Sequence, residues 1–260
     1  MPAAGHASPW IRRFHPVSHP DDTGRVHLVC FPHAGGPATS YTPLSANLSA
    51  LAPFVDVVAL QYPGRQDRLA EPPVADLTEL SRLIAGELRP LAAEGRPLVF
   101  FGHSMGAELA FETARLLERT GAAPAALLLS GRRPPSRRRS QSIHLRDDDD
   151  LLEHVLSLSG TDPQLFADEE FRALLLPALR ADYTAIETHT PDPAARVGCP
   201  ITVFTGDRDP QLPVADAHAW AAHTTGRCDV RVFPGGHFYL SDHPRDVAAA
   251  VSETVAVVAS

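Results

Sequence analysis

Cysteine is scarce in this sequence: Cys30, Cys199 and Cys228 are the only three in 260 residues, and no two form a CxxC pair. An odd, widely spaced set excludes a disulfide framework and a thiolate zinc site. It reads as small buried apolar residues in a reducing compartment. Long apolar runs are missing as well: nothing approaches the roughly 18 to 20 residues that cross a bilayer, and the N-terminus has no apolar signal core. The expectation is a cytoplasmic chain without membrane contact. There is no basic excess either. Lys and Arg number 23 against 31 Asp and Glu, a formal net charge of −8, which argues against nucleic acid as a partner. Also absent are H-E-x-x-H, a P-loop, a G-x-G-x-x-G after a strand and any internal repeat, so no metal and no cofactor is expected.

What is present suits a globular domain. Hydrophobic residues make up 44% of the chain, enough for a sizeable core. Short β-rich runs at 26–31, 55–60, 98–101, 125–130, 201–205 and 230–233 alternate with helical spacing at 44–51, 76–93, the segment up to about 120, 214–224 and 244–258. That alternation predicts an α/β fold with a mostly parallel, doubly wound sheet. Residues 1–24 lack periodicity and read as a tail or arm, anchored by Trp10, Ile11 and Phe14. Between 132 and 195 the pattern is helical only, with short segments at 151–158, 169–176 and 177–186. A helical insertion between two sheet strands has the form of a lid, dividing the core into 25–131 and 196–260. The four aspartates at 147–150 diverge too much to hold one ion and read as a helix N-terminus.

The stretch Leu98-Val99-Phe100-Phe101-Gly102-His103-Ser104-Met105-Gly106 runs from strand to helix through Gly-x-Ser-x-Gly. A serine on so sharp a turn is exposed and strained, between two glycines that admit no side chain. Such a serine needs a base, and the base needs a carboxylate to hold its tautomer. His237 follows the last strand after Gly235-Gly236 and is the candidate base; His218, His223 and His243 lie in helical patterns. Asp209 is the preferred acid, with Asp207 in the same turn as the alternative. An early loop, Pro32-His33-Ala34-Gly35-Gly36, follows the first strand, so the N–H groups of Ala34 and Met105 are the candidate oxyanion donors. These residues describe a serine acyl hydrolase. They leave open an oxygen-ester hydrolase, a lipase or an acyltransferase.

Four stretches together resemble the type II thioesterases: Cys30-Phe31-Pro32-His33-Ala34-Gly35-Gly36, Tyr62-Pro63-Gly64-Arg65, Gly102-His103-Ser104-Met105-Gly106 and Gly235-Gly236-His237-Phe238-Tyr239. The resemblance runs from about Trp10 to the C-terminus. It implies an α/β-hydrolase fold with a helical lid and a catalytic set of Ser104, Asp209 and His237, with Ala34 and Met105 at the oxyanion hole. It also implies removal of stalled or aberrant acyl groups from the phosphopantetheine arm of acyl or peptidyl carrier proteins, in polyketide or nonribosomal peptide synthesis. The phosphopantetheine would come with the substrate, and the enzyme would act as a monomer. Acidic carriers need a basic landing site, for which Arg132, Arg133, Arg137, Arg138 and Arg139 are candidates; a solvated loop paired with the nearby aspartates is the other reading of that run.

Overall fold

A computed structural model describes residues 8–16, 26–139, 141–158 and 168–259. One sheet contains β1 (Ile11–Arg12), β2 (Val26–Phe31), β3 (Val55–Leu60), β4 (Leu98–His103), β5 (Ala126–Ser130), β6 (Ile201–Gly206) and β7 (Cys228–Phe233). The strand order is β1-β3-β2-β4-β5-β6-β7. β1 lies antiparallel on β3, and the six longer strands are all parallel. Winding outward from β2 in both directions places helices on both faces.

The strands are apolar throughout because both faces are covered. All six residues of β4 are buried, and alternate side chains enter opposite layers. Phe100 packs with Leu80 and Ile84 of α2 (Leu77–Ala92) and Leu109 of α3 (Met105–Glu118). Val99 and Phe101 join Leu48 of α1 (Thr42–Leu51) and Val251 of α8 (Pro244–Ala259) on the other side. Only residues 8–16 of the expected arm are described. There Trp10 is buried, with the Arg68 guanidinium 4.3 Å above its ring. Cys30 is buried as expected, but Cys199 and Cys228 are half-buried: Cys199 precedes β6 and Cys228 opens the edge strand β7.

The described residues between β5 and β6 form α4 (Asp148–Ser157) and α5 (Glu169–Thr188), with no strand among them apart from an isolated bridge at Val197; residues 140 and 159–167 lie outside the description. Asp147 caps α4 by accepting the Asp150 N–H at 2.9 Å, so the aspartate run does form a helix N-terminus. The expected break at Pro177 does not occur: 169–176 and 177–186 are one helix. Proline inside a helix costs about 3 kcal/mol. Here Phe171, Leu175, Leu179 and Tyr183 form a row at four-residue spacing that packs with Ile143, Leu151 and Leu152. Leu179 and Tyr183 are buried and Phe171 and Leu175 half-buried; at roughly 1.5–3 kcal/mol for a fully buried side chain, the row together offsets the proline. The expected helix at 214–224 is α6 (Val214–Ala217) followed by a 3-10 segment, His218–His223, and α7 (Tyr239–Asp242) precedes α8.

The crossing of β4 and α3 leaves no room for side chains. A Cβ on Gly102 would sit 2.2 Å from the Gly106 carbonyl oxygen, and one on Gly106 would sit 1.9 Å from the Phe31 carbonyl oxygen. Backbone therefore meets backbone where β2, β4 and α3 converge. Gly106→Ala should lower stability by about 3 kcal/mol or more, beyond the usual cost of one extra core methyl group; urea denaturation with a wild-type midpoint would contradict this.

Candidate active site

Ser104 occupies the turn between β4 and α3 with φ 54° and ψ −118°, and only one other non-glycine among the described residues, Gln66, has positive φ. Such a conformation costs on the order of 1–3 kcal/mol and persists where the surroundings fix it. Here the Ser104 N–H donates to the Ser130 carbonyl at 2.8 Å, and the glycine contacts hold both flanks. Ser104 lies on the wall of a cavity of about 530 Å³, which His33, Ala34, Arg65 and His237 also line. The rest of the wall is largely apolar, from Val155 and Leu158 near α4 and Phe171, Leu174, Leu175 and Leu179 of α5.

His237 and Asp209 meet at the ends of β7 and β6. Nδ1 of His237 is 3.0 Å from both carboxylate oxygens, and Oδ1 of Asp209 also accepts the Gln211 N–H at 2.7 Å. Both side chains are buried. A carboxylate only accepts, so Nδ1 carries the proton and Nε2 is left as the basic nitrogen. That Nε2 is buried and has no hydrogen-bond partner. Asp207 points elsewhere: its side chain is 52% exposed and accepts the Gly235 N–H at 2.8 Å. This hydrogen bond, chiefly, holds its carboxyl below the usual range. Asp207 thus shapes the turn that carries His237. His223 is engaged by the Ala195 carbonyl and Ser136 Oγ, at 2.8 Å each, and His218 is exposed.

Two more imidazoles pack round this pair. The His103 ring centroid is 4.8 Å from that of His237 and 6.0 Å from that of His33. His103 Nδ1 pairs with Ser130 Oγ at 2.9 Å, which in turn meets the Tyr239 hydroxyl at 2.6 Å. Burial, with the charge of His237 as a lesser cause, holds His103 well below the ordinary histidine range and takes His33 down to about 3. Both are neutral at pH 7, so neither adds a positive charge beside His237.

The two candidate oxyanion donors come from the start of α3 and from the loop after β2, where Ala34 lines the same cavity as the serine. Met105 opens α3, where first-turn N–H groups have no carbonyl within the helix. Ala34 sits in a turn closed by the Gly36 N–H on the His33 carbonyl at 2.9 Å. The next residue, Gly35, donates its N–H to Asp182 Oδ2 at 2.7 Å, and Arg65 Nη2 reaches the same oxygen at 2.5 Å. Asp182 was not among the expected site residues. Burial pushes its carboxyl up, opposed by Arg65 and the Gly35 N–H. Its signal in the sequence is a lone acid among the buried residues Ala178, Leu179, Ala181, Tyr183, Ala185 and Ile186 of the helix.

The arginines stand apart from the cavity. Arg137, Arg138 and Arg139 are exposed, and Arg138 donates to the Glu187 carbonyl at 2.5 Å. Arg138 and Arg139 line a shallow second pocket with Arg132 and Arg133, and this pocket shares no lining residue with the first. Asp148 and Asp149, in turn, pair with Arg180 and Arg172 of α5.

The depressed histidines have a consequence for stability. An unfolded histidine titrates at about 6.5, so below that pH the unfolded chain binds protons that His103, fully buried, and His33, half-buried on the cavity wall, refuse. Their contribution is complete above about pH 6.5 and falls as the pH drops toward the folded values. Between pH 6.5 and 5 the melting temperature should fall, and it should fall less steeply in His33→Gln; equal slopes in calorimetry would show that His33 does not carry the effect.

Comparison with known proteins agrees with this geometry. The family model described as "Thioesterase domain" matches residues 26–255. A probable cadicidin biosynthesis thioesterase of Streptomyces griseus is 49% identical over 249 residues, which cover 96% of this chain and 66% of that protein. Thioesterase PikA5 of Streptomyces venezuelae is 44% identical over 249 residues, covering 95% of this chain and 86% of that one. The solved structure of the type II thioesterase BorB from the borrelidin biosynthetic cluster superposes with a TM-score of 0.82 at 45% identity, over 96% of this chain and 99% of that one. With a family match across nearly the whole chain and a parallel sheet that carries serine, aspartate and histidine after β4, β6 and β7, this chain belongs to the thioesterase family of the α/β-hydrolase fold.

Proposed function

We propose that this chain is a type II thioesterase that hydrolyses acyl groups from the phosphopantetheine arm of acyl or peptidyl carrier proteins in polyketide or nonribosomal peptide synthesis. The observation that carries the reading is the His237–Asp209 pair, whose second imidazole nitrogen is unpartnered beside the cavity that Ser104 lines. The substrate class rests on relatives at 44–49% identity that bear the name thioesterase.

The chemistry follows from the roles. His237 Nε2 takes the Ser104 hydroxyl proton as Oγ attacks the thioester carbonyl, and Asp209 stabilises the imidazolium through Nδ1–H. The oxyanion is received by the N–H groups of Ala34 and Met105. Collapse breaks the C–S bond. The pantetheine sulfur, whose thiol has a pKa of about 8.5, leaves with little acid assistance and takes up the imidazolium proton, which returns His237 to its neutral form. Water then adds to the acyl-Ser104 ester, giving its proton to His237. That proton returns to Oγ as the free acid departs. No cofactor is needed. The chain works as a monomer in the cytoplasm, a setting that suits its three free thiols; no helix among the described residues is long and apolar enough to cross a membrane.

Ser104→Ala should lower acyl release from an acyl carrier protein by about 10⁴–10⁶-fold. Asp209→Asn should cost about 10⁴-fold in kcat through the wrong tautomer, while Asp207→Asn costs far less. Quenched-flow assays with radiolabelled acyl carrier would show it; activity surviving in Ser104→Ala overturns the mechanism, and equal losses at the two aspartates overturn the assignment of the acid.

The exposed Arg137 and Arg139 supply the basic edge that receives the acidic carrier. Charge reversal at both, leaving Arg138 on its carbonyl, should raise KM for the carrier-bound thioester and flatten its salt dependence. A short pantetheine thioester should be unaffected, and an unchanged KM for the carrier would remove these arginines from docking.

A further inference from the structure

Helix α5 touches the loop that carries the Ala34 N–H at two points. Asp182 accepts the Gly35 N–H at 2.7 Å, and one turn earlier Leu179 packs on the same glycine, with its Cδ1 2.9 Å from where a Gly35 Cβ would lie. The same helix face forms the apolar wall of the cavity through Leu174, Leu175 and Leu179. On the body side, Arg65 fixes Asp182. Its guanidinium lies 5.1 Å from the Tyr62 ring centroid, and its carbonyl accepts Gln61 Nε2 at 2.9 Å. Gln61 Oε1 in turn accepts the Ala38 N–H at 2.8 Å, at the far end of the loop.

One carboxylate oxygen therefore joins three segments: the loop after β2, the loop after β3 and the helix over the cavity. Both charged side chains are at least nine-tenths buried, and Nε and Nη1 of Arg65 have no hydrogen-bond partner. Among the described residues no other carboxylate pairs with the guanidinium, so the pair is held together strongly. A buried pair of this kind is weak evidence for added stability, and its geometry points instead to placement.

We propose that Arg65 and Asp182 are a positioning pair that sets the oxyanion loop according to how α5 is seated, so that an acyl chain filling the cavity accelerates attack on its own carbonyl. The inference rests on the thioesterase reading above. A long chain presses on Leu174, Leu175 and Leu179, α5 settles, and Asp182 draws Gly35, and with it the Ala34 N–H, into place. Short chains leave α5 unloaded. Chain length is thereby expressed in kcat, beyond what uniform binding gives to KM.

The test is kinetics on pantetheine thioesters from acetyl to octanoyl, with wild type, Asp182→Asn and the double variant Arg65→Gln/Asp182→Asn. The double variant keeps hydrogen-bonding groups and leaves no lone buried charge, so it folds where a single variant fails; circular dichroism and melting verify this. The wild-type kcat should rise with chain length. In the double variant kcat on octanoyl should fall about 10²–10³-fold, the size of a lost oxyanion donor. KM should stay within about threefold, and the loss in kcat on acetyl should be much smaller, so that the dependence on chain length flattens. A wild-type kcat that does not depend on chain length, a loss equal for every chain, or a change confined to KM overturns the proposal. If the wild type cleaves no thioester, the functional reading fails instead, and the p-nitrophenyl esters of the same acids decide the positioning role by the same criteria.

Discussion

The backbone contact of Gly106 with the Phe31 carbonyl is the constraint on which the site depends. It brings the N-terminus of α3 against the end of β2, closer than any side chain permits. Because β2 ends there, the following turn, with Ala34, must emerge beside the first amide groups of α3. Because α3 starts there, Ser104 must make its reversal in one residue and takes positive φ. One steric condition thus fixes the nucleophile and both oxyanion donors, and glycine is the residue that satisfies it.

The parallel sheet does the remaining assembly. Every strand in it from β2 to β7 points the same way, so the loops after β2, β3, β4, β6 and β7 gather at one edge. Residues far apart in sequence become neighbours without a long excursion of chain. The price is burial: imidazoles and a carboxylate packed in a dry edge are stable only when neutral or paired. His33 and His103 stay neutral, Asp209 is paired with His237, and Asp182 with Arg65. The Nε2 of His237 is left free of any partner for its task.

The sheet was legible in the sequence because each strand is a continuous apolar run, and the site loops were legible because Gly-rich turns follow those runs directly. Asp209 and Asp207 were harder to separate. Two positions apart in one turn, they differ only in what receives them: the His237 ring for one and the Gly235 N–H for the other. Both partners come from the loop after β7, which local sequence does not reveal. The continuity of α5 through Pro177 was hidden for a similar reason, since the packing that overrides the proline comes from α4 and the turn before it. Asp182 left only a faint trace. An acid on an apolar helix face means something, but its partner Arg65 lies 117 residues away.

That trace bears on how a thioesterase differs from an esterase built on the same triad. A thiolate leaves readily, so breakdown of the tetrahedral adduct needs little acid catalysis and the addition step carries more of the barrier. Addition is the step that an oxyanion loop governs. An enzyme for thioesters then gains most of its discrimination between acyl chains by controlling when that loop is in register, rather than by tuning its acid. A covering helix that is at once the wall of the acyl cavity and the hydrogen-bond acceptor for Gly35 gives that control directly. It needs no signal beyond the acyl chain itself, and no change in Ser104, His237 or Asp209.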